Sequence, residues 1–434
     1  MRKIVYSIII NLATILCACA VGDISQKVVL GEIFSVQYRE VGEFSNESFS
    51  WVTQNAAFRF SSPTFTLGSL PLGETICYVE NGKLTKLVIS IYNRGDNGQI
   101  TDEEFIGKLR ATANALNNVF KVNGVVANRK SDPTRSTYDI GGMRWKTQGT
   151  QTLMEYSVKN QGARTVPTAE YIRLTISPAT SLEQANKSIR NFERKKRPID
   201  NVISSANGGK EITGIPMVDQ GQKGYCAAAT TARVMGYYGY EQLDQHQIAQ
   251  WAKTDSTGGT SMDEMMKGIR RVLHDTYKLN IIEIERVDVK ALMKLVERYN
   301  AEAKRANLVP IDLPKTGVID IGQIYSSFNP ILLKKVQTKN RQKNEVFFNK
   351  IKAQIDKGIP LVWSVQLGLI PEQGLPQDRG GHMRLIIGYG GRTPNDRYIV
   401  YSDSWGAGHE RKEMPLDDAI TITTSLIAIT PRLN

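Results

Sequence analysis

The sequence predicts an α+β fold in two domains, and three observations support this. Residues 23 to about 185 contain several short β-like runs and one clear helical pattern. Residues 211–434 contain five helical patterns followed by four strand-like runs, as expected for a helical layer facing an antiparallel sheet. Between them the chain is polar and basic and ends in a Ser/Asn/Gly-rich stretch. We therefore expect an N-terminal domain over 21–185, a linker over 186–210 and a C-terminal domain over 211–434.

Residues 1–20 have the pattern of a signal peptide. Two basic residues, Arg2 and Lys3, precede a mostly apolar stretch from Ile4 to Leu16, and small residues follow. The apolar stretch is short and interrupted for a membrane span. Cleavage after Ala20 and lipidation at Cys19 through a bacterial lipobox are both open, and an uncleaved anchor is a third interpretation. We expect a bacterial exported protein, either periplasmic, secreted or held at a membrane by lipid on Cys19.

Composition excludes several classes of protein. Hydrophobic residues make up 41% and charged residues 23% of the chain, so it is not globally disordered. The formal net charge is +12, but the only dense basic run, residues 190–198, lacks the aromatic interleaving of a nucleic-acid surface. We interpret the charge as a generally basic surface and expect no nucleic-acid partner.

The cysteines and histidines are too few and too scattered for a disulfide scaffold or a metal site. Beyond the signal only Cys77 and Cys226 remain, and a bridge between them is allowed by parity alone. The four histidines show no metal-binding spacing with these cysteines. The methionines at 262, 265 and 266 fit the core face of a helix better than a metal or cofactor stripe. We expect neither a metal nor a cofactor.

The N-terminal domain has local signals for strands and for one helix. Strand-like runs cover 27–34, 76–93 with an Asn81-Gly82 turn, 151–160 and 170–178. Thr101 and Glu104 form a capping-box pattern before a helix with Phe105, Leu109 and Leu116 at helical spacing. The sequence assigns this domain no chemistry.

In the C-terminal domain helices precede strands. Helical patterns cover 226–238, 243–253, 260–275, 289–306 and 344–358, and strand-like runs cover 360–367, 382–390, 397–405 and 419–430.

Three of these elements carry residues suited to nucleophilic catalysis. Cys226 precedes an alanine-rich helix start, where the helix dipole would favour a thiolate. His382 opens an apolar strand, and Asp403 ends the next strand-like run 21 residues later. Antiparallel pairing of these strands would bring Asp403 beside His382. Gln220 lies six residues before Cys226 and could donate from its side-chain amide. A nucleophile, a base, an orienting group and an oxyanion donor are thus all available.

This ordered set resembles the papain-like cysteine peptidases over about residues 211–434. The Gln-Gly at 220–221 repeats the papain-like dipeptide, His382 follows Cys226 by about 150 residues, and "DSWG" at 403–406 resembles "NSWG". The sequence is most similar to the bacterial branch related to bacteriocin-leader-processing peptidases. The local "CGSCW" of true papains is absent, so no cleavage-site preference is transferred.

The resemblance implies hydrolysis of a peptide or protein substrate through a thioester on Cys226. It makes His382 the general base and acid, Asp403 the orienting residue, and Gln220 a donor to the oxyanion. The substrate-binding residues would be Gly224, Tyr225, Gly381 and Trp405, and Trp405 would also shield the His382–Asp403 pair from water.

Several alternatives stay open. Gln222 competes with Gln220 as oxyanion donor and His409 with His382 as base, whereas His246 and His274 lie in charged helical surroundings typical of the surface. The domain could instead be a non-catalytic binding scaffold, or a transpeptidase or amidase acting on cell-wall peptide. The N-terminal domain fits an inhibitory pro-region or a binding module.

Overall fold

The structure is a computed structural model, and its contacts divide the chain into two compact units, Met1–Phe192 and Glu193–Asn434. The signal pattern at 1–20 and residues 186–196 of the expected linker lie outside the described residues. The structure describes residues 22–38, 49–60, 65–127, 138–159, 168–179, 197–205, 208–221, 224–240, 245–251, 262–275, 277–312, 321–377 and 379–432.

In its described part, the first unit contains an eight-stranded antiparallel sheet in the order β1-β2-β5-β6-β10-β9-β8-β7, and a two-stranded sheet of β3 and β4. Its strands are β1 (Ser50–Thr53), β2 (Ala57–Phe60), β3 (Thr66–Leu67), β4 (Leu70–Pro71), β5 (Thr75–Glu80), β6 (Lys83–Asn93), β7 (Val125–Val126), β8 (Tyr138–Lys146), β9 (Thr150–Lys159) and β10 (Thr168–Pro178). Its helices are α1 (Ser25–Val29), α2 (Arg94–Asn97), α3 (Asp102–Phe120) and a 3₁₀ turn (Glu32–Phe34).

Two predictions that depend on contacts between neighbouring residues, the helix cap at Thr101 and the turn at Asn81-Gly82, are confirmed in this unit. The Thr101 hydroxyl accepts from the Glu104 amide at 3.2 Å, and the Glu104 carboxylate accepts from the Thr101 amide at 2.9 Å. These two bonds form the predicted capping box of α3. Asn81 and Gly82 both have positive φ, 52° and 79°, as the tight turn between β5 and β6 requires.

The predicted strand over residues 27–34 is wrong. This segment instead forms the end of α1 and the 3₁₀ turn, with Gly31 between them at φ 75°. A side chain at Gly31 would approach the backbone of Gly149 to 2.8 Å, so the chain makes a close turn there. The apolar residues Val28 and Ile33 still enter the core, but from helical turns.

The described part of the second unit combines helices with a sheet in which every pairing is antiparallel. Its strands are β11 (Val202–Ser204), β12 (Lys210–Ile212), β13 (Leu279–Arg286), β14 (Leu361–Leu367), β15 (Gly380–Gly390), β16 (Tyr398–Ser402), β17 (Lys412–Pro415) and β18 (Thr423–Pro431). Its helices are α4 (Cys226–Tyr237), α5 (Gln245–Trp251), α6 (Met262–Asp275), α7 (Val289–Arg305), α8 (Ile321–Ser327), α9 (Pro330–Thr338), α10 (Arg341–Ile355), α11 (Leu416–Ile422) and a 3₁₀ turn (Pro198–Asn201).

The order of strands in this sheet is β11-β12-β15-β14-β18-β13, with β16 pairing β15 and β17 pairing β16. The five predicted helices are α4, α5, α6, α7 and α10, and the four predicted strands correspond to β14, β15, β16 and β18. Both units mix helices with antiparallel sheet, so the predicted α+β class is confirmed.

One boundary in the second unit is wrong. Residues 419–422, predicted to begin the last strand, form the end of helix α11, and β18 begins at Thr423. Two acidic residues, Asp417 and Asp418, lie in the first turn of α11, where negative charge stabilises a helix. Its buried residues include Leu416, Ala419 and Ile422 at helical spacing.

No helix within the described parts of the chain combines the length and the apolar composition that a bilayer crossing needs.

Candidate active site

Cys226 begins helix α4, partly exposed and not in a disulfide. The residues that follow it are small, so this helix packs closely, and Ala227, Ala228 and Ala229 are almost completely buried. The sulfur therefore lies at the positively polarised end of a well-packed helix. The other described cysteine, Cys77, is also free, so the bridge that parity allowed is not formed. Burial raises the pKa of the Cys77 thiol, which makes it the inert cysteine of the pair.

Thr230 connects the cysteine helix to the histidine strand. Its hydroxyl donates to the carbonyl oxygen of Met383 at 3.1 Å, next to His382 in β15. The same hydroxyl lies 3.1 Å from the Ser404 hydroxyl, next to Asp403. One side chain, one turn into α4, thus contacts the neighbours of both other candidate residues.

Arg233 makes a second and stronger connection from α4. Its guanidinium is 1% exposed and donates to the carbonyl oxygens of Asp403 at 2.7 Å and Pro216 at 2.9 Å. It also donates to the Ser402 hydroxyl. A buried arginine with these partners fixes the position of the helix relative to the end of β16.

The His382 ring is held on two sides. Its Nε2 atom lies 2.5 Å from Asp403 Oδ1, and the ring stacks on Trp405 with centroids 4.2 Å apart and planes 7° apart. The other ring nitrogen, Nδ1, is buried and has no hydrogen bond of regular geometry. The Cys226 thiol nevertheless interacts with the ring strongly enough to raise the pKa of His382. We therefore assign Nδ1 to the sulfur.

The charge of His382 is set by opposing effects. Burial alone would lower its pKa, but the charge and hydrogen bond of Asp403, followed by the Cys226 thiol, outweigh burial and raise the pKa to about 9. Burial would likewise raise the pKa of Asp403, but His382, Arg384 and the Ser404 amide lower it. The two side chains are therefore an imidazolium and a carboxylate at neutral pH.

The predicted pairing of two strands places Asp403 beside His382. Strand β15 pairs with β16 in a register that puts Leu385 opposite Ser402, the last residue of β16. Asp403 follows directly, and its amide donates to the His409 carbonyl oxygen at 2.8 Å.

Gln220 is attached to the same loop. Gln220 is only 4% exposed, and its backbone N–H donates to the Ser404 carbonyl oxygen at 2.8 Å. Asp219 accepts from the Gly221 amide at 2.8 Å, and the Gln245 side chain donates to the Asp219 carbonyl at 3.0 Å. The Gln220 loop is therefore tied to the loop of Asp403. Its rival Gln222 lies outside the described residues.

The predicted flanking residues differ in access to solvent. Gly381 is exposed and a Cβ there would meet nothing within 4 Å, while Trp405 and Gly224 are partly buried. Tyr225 is only 2% exposed, so its ring packs inside the unit. Of these four residues, Gly381 is the most exposed to solvent and Tyr225 the least.

Of the other described histidines, His409 accepts a hydrogen bond from the Asp403 amide through its backbone only, and His274 lies elsewhere in the unit. His409 contacts the Trp405 ring edge-to-face with centroids 5.7 Å apart, and burial together with Lys412 lowers its pKa. His274 is exposed and its Nδ1 lies 2.8 Å from Asp275 Oδ1. The side chains of His246 and of the methionines at 262, 265 and 266 lie outside the described residues.

Sequence reasoning missed Arg384, which contacts the second oxygen of Asp403. Its Nε atom lies 2.9 Å from Asp403 Oδ2, and its side chain is fully buried. The sequence did contain a signal, because Arg384 is the one charged residue in the apolar run 382–390. It lies two positions after His382, so both side chains are on the same face of the strand.

Within the described residues, no group of three or more histidine, cysteine, aspartate or glutamate side chains is arranged to hold a metal ion.

Residues 313–424 match the sequence profile of the Peptidase_C39 like family. This match confirms the resemblance to papain-like cysteine peptidases over that segment, which includes His382 and Asp403 but not Cys226 or Gln220. No curated protein matches the chain significantly.

Proposed function

We propose that this protein is a cysteine peptidase that cleaves peptide amide bonds through a thioester on Cys226. The observation that carries the proposal is the anchoring of one imidazole. His382 is fixed at Nε2 by Asp403 and stacked on Trp405, and its Nδ1 remains for the thiol at the start of α4. Such an arrangement suits transfer of the thiol proton to the ring.

The first half of the reaction forms the thioester. With the proton on His382 Nδ1, the thiolate attacks the carbonyl carbon and the carbonyl oxygen becomes an oxyanion. The backbone N–H of Cys226 and the Gln220 side chain would donate to that oxygen. The imidazolium then gives its Nδ1 proton to the leaving amine as the carbon–nitrogen bond breaks.

The second half hydrolyses the thioester. Neutral His382 takes a proton from water, whose oxygen attacks the thioester carbon, and the carbon–sulfur bond breaks. The peptide leaves as a carboxylic acid, and the thiolate–imidazolium pair is restored. Asp403 stays ionised throughout and holds the ring in the productive tautomer.

Trp405 has a protective role in this scheme. Stacking at 4.2 Å covers one face of the imidazole and keeps water from the His382–Asp403 hydrogen bond. Because a charged hydrogen bond is stronger where water is excluded, this cover supports a protonated ring at neutral pH.

The proposed substrate is a peptide or protein met after export, because residues 1–20 carry the signal pattern. The mass of the mature N-terminus distinguishes the two processing routes, since a chain that begins at lipidated Cys19 carries two more residues and a diacylglyceryl group than a chain that begins at Val21.

The test is hydrolysis of a diverse peptide mixture by the full chain, with cleavage products identified by mass spectrometry. Cys226→Ala should abolish cleavage, whereas the matched variant Cys77→Ala, at the buried cysteine of the other unit, should keep it. Cleavage by Cys226→Ala at the wild-type rate contradicts the proposal. Peptide binding without any cleavage by the wild type favours the non-catalytic scaffold instead.

A further inference from the structure

The carboxylate of Asp403 is shared between two cations. One oxygen, Oδ1, faces His382 Nε2 at 2.5 Å, and the other, Oδ2, lies 2.9 Å from Arg384 Nε. Neither Arg384 Nε nor Asp403 Oδ2 is aligned for a regular hydrogen bond, so the contact is an ion pair at short distance. A lone buried arginine at this position would draw Asp403 away from the imidazole.

Glu372 compensates for that arginine. The two terminal nitrogens of Arg384 donate to the two oxygens of Glu372 at 2.8 Å and 3.2 Å, a bidentate pair. The Tyr401 hydroxyl donates to Glu372 at 2.8 Å, and the guanidinium lies 4.8 Å from the centre of the Tyr401 ring. The guanidinium is thereby fixed at both ends and along its face.

The charges along this line alternate in sign. Glu372 and Asp403 are negative, and Arg384 and protonated His382, which lie between or beside them, are positive. Burial alone would lower the pKa of Arg384, but Asp403 and Glu372 raise it, so the guanidinium stays charged. Buried charges are tolerated when each has a partner of opposite sign on either side.

We propose that Arg384 and Glu372 are positioning residues, which together hold Asp403 in line with His382 and balance the charge that Asp403 presents to the ring. This inference deepens the proposed function and rests on it for its role in catalysis. Glu372 belongs to the loop between β14 and β15, so the pair also connects that loop to the candidate active site.

Because Arg384 and Glu372 carry opposite charges, removing one or the other should shift the titration midpoint of His382 in opposite directions. Removing the positive charge in Arg384→Met leaves Asp403 and Glu372 to stabilise the imidazolium. Its titration midpoint should rise by about one pH unit. Removing the negative charge in Glu372→Gln leaves Arg384 unbalanced against the imidazolium, and the midpoint should fall by about one unit. A purely structural role would not produce shifts of opposite sign.

Other charged groups near the site are unchanged in both variants and contribute equally to each titration. They come from α4, β17 and the loops around Asp403, and are Cys226, Arg233, Lys412, His409, Glu410 and Asp219.

The experiment is a pH titration of the full chain labelled with ¹⁵N-histidine, without substrate. Only four histidines contribute signals, and His382→Gln identifies the relevant one. The conservative variant Arg384→Lys keeps the charge, so its midpoint should stay within about 0.3 units of wild type. The matched controls are Arg397→Met and Glu345→Gln, which break another bidentate Arg–Glu pair and should leave the midpoint unchanged.

Midpoints that move in opposite directions support the proposal. Shifts of the same sign, or no shift in either variant, overturn it. If Arg384→Met does not fold, Glu372→Gln decides alone, because a fall in the midpoint supports the proposal and an unchanged or raised midpoint contradicts it. The titration needs no peptide hydrolysis, so an inactive wild type would contradict the proposed function and leave this result valid.

Discussion

Replacing Asp403 by asparagine separates the charge of the orienting residue from its hydrogen bond. Asparagine keeps an oxygen at Oδ1 that can accept from His382 Nε2, as in the "NSWG" motif of papain relatives. It removes the negative charge that keeps the buried ring protonated. We therefore expect Asp403→Asn to preserve the orientation of the ring and to lower its pKa.

The size of the shift follows from the pKa of His382, which is raised from 6.5 to about 9 against the effect of burial. A difference of about 2.5 units corresponds to about 3 kcal/mol, and burial should take the midpoint of the variant below 6.5. In the wild type only about 1% of rings are neutral at pH 7, whereas most are neutral in the variant.

The sign for stability follows from the raised pKa. Protonated His382 stabilises the folded unit fully below about pH 6.5, and this contribution is lost as the pH rises through about 9. In Asp403→Asn this loss on the alkaline side should disappear.

The assay is the same ¹⁵N-histidine titration, with hydrolysis measured on a peptide that the wild type cleaves. Asp403→Asn should shift the midpoint by more than about 2 units and reduce kcat about tenfold near neutral pH. Asp403→Ala, which also loses orientation, should reduce kcat by a further factor of at least about ten. A midpoint that stays near 9 in Asp403→Asn would refute the assignment of Asp403 as the source of the raised pKa.

Three further predictions concern separate parts of the molecule. Gln220→Ala should lower kcat about 10²-fold while the His382 midpoint stays unchanged, and a changed midpoint or an unchanged kcat contradicts its role as oxyanion donor. Arg233→Met should reduce the free energy of unfolding by about 3 kcal/mol in urea titrations, because the buried Asp403 carbonyl and the partly buried Pro216 carbonyl lose their donor; a loss below about 1 kcal/mol contradicts its bridging role. Thr101→Ala should cost about 1 kcal/mol through loss of the α3 cap and leave peptide hydrolysis unchanged, and an altered rate would contradict that separation.

The sequence predicted those elements whose signals are local. The capping box at Thr101 and the turn at Asn81 and Gly82 depend on bonds within four residues, so short-range pattern was sufficient. Helix α9 was missed although Asn329 caps it and Pro330 follows at its first position, because its apolar run was too short to stand out. The strand predicted over 27–34 failed because tertiary packing around Gly31 overrode a β-like composition.

The residues of the candidate site likewise fall into those that the sequence predicted and those that it did not. Cys226, His382 and Asp403 were predicted from spacing and motif, because each lies at or next to the start or the end of a regular element. Glu372 had no such signal, since it lies in an irregular loop and meets Arg384 only through the folding of β14 onto β15. The contacts of Arg384 likewise depend on where this loop returns, which no period in the sequence encodes.

The central claim is that Cys226 and His382 form a thiolate–imidazolium pair. The most direct measurement is the rate of Cys226 alkylation by iodoacetamide at about pH 5.5, followed by mass spectrometry of the Cys226 peptide in the wild type and in His382→Gln. Buried Cys77 provides an internal reference that should remain unmodified. We predict rapid alkylation of the wild type and a rate at least about tenfold lower in His382→Gln. Equal rates in the two proteins would contradict the account.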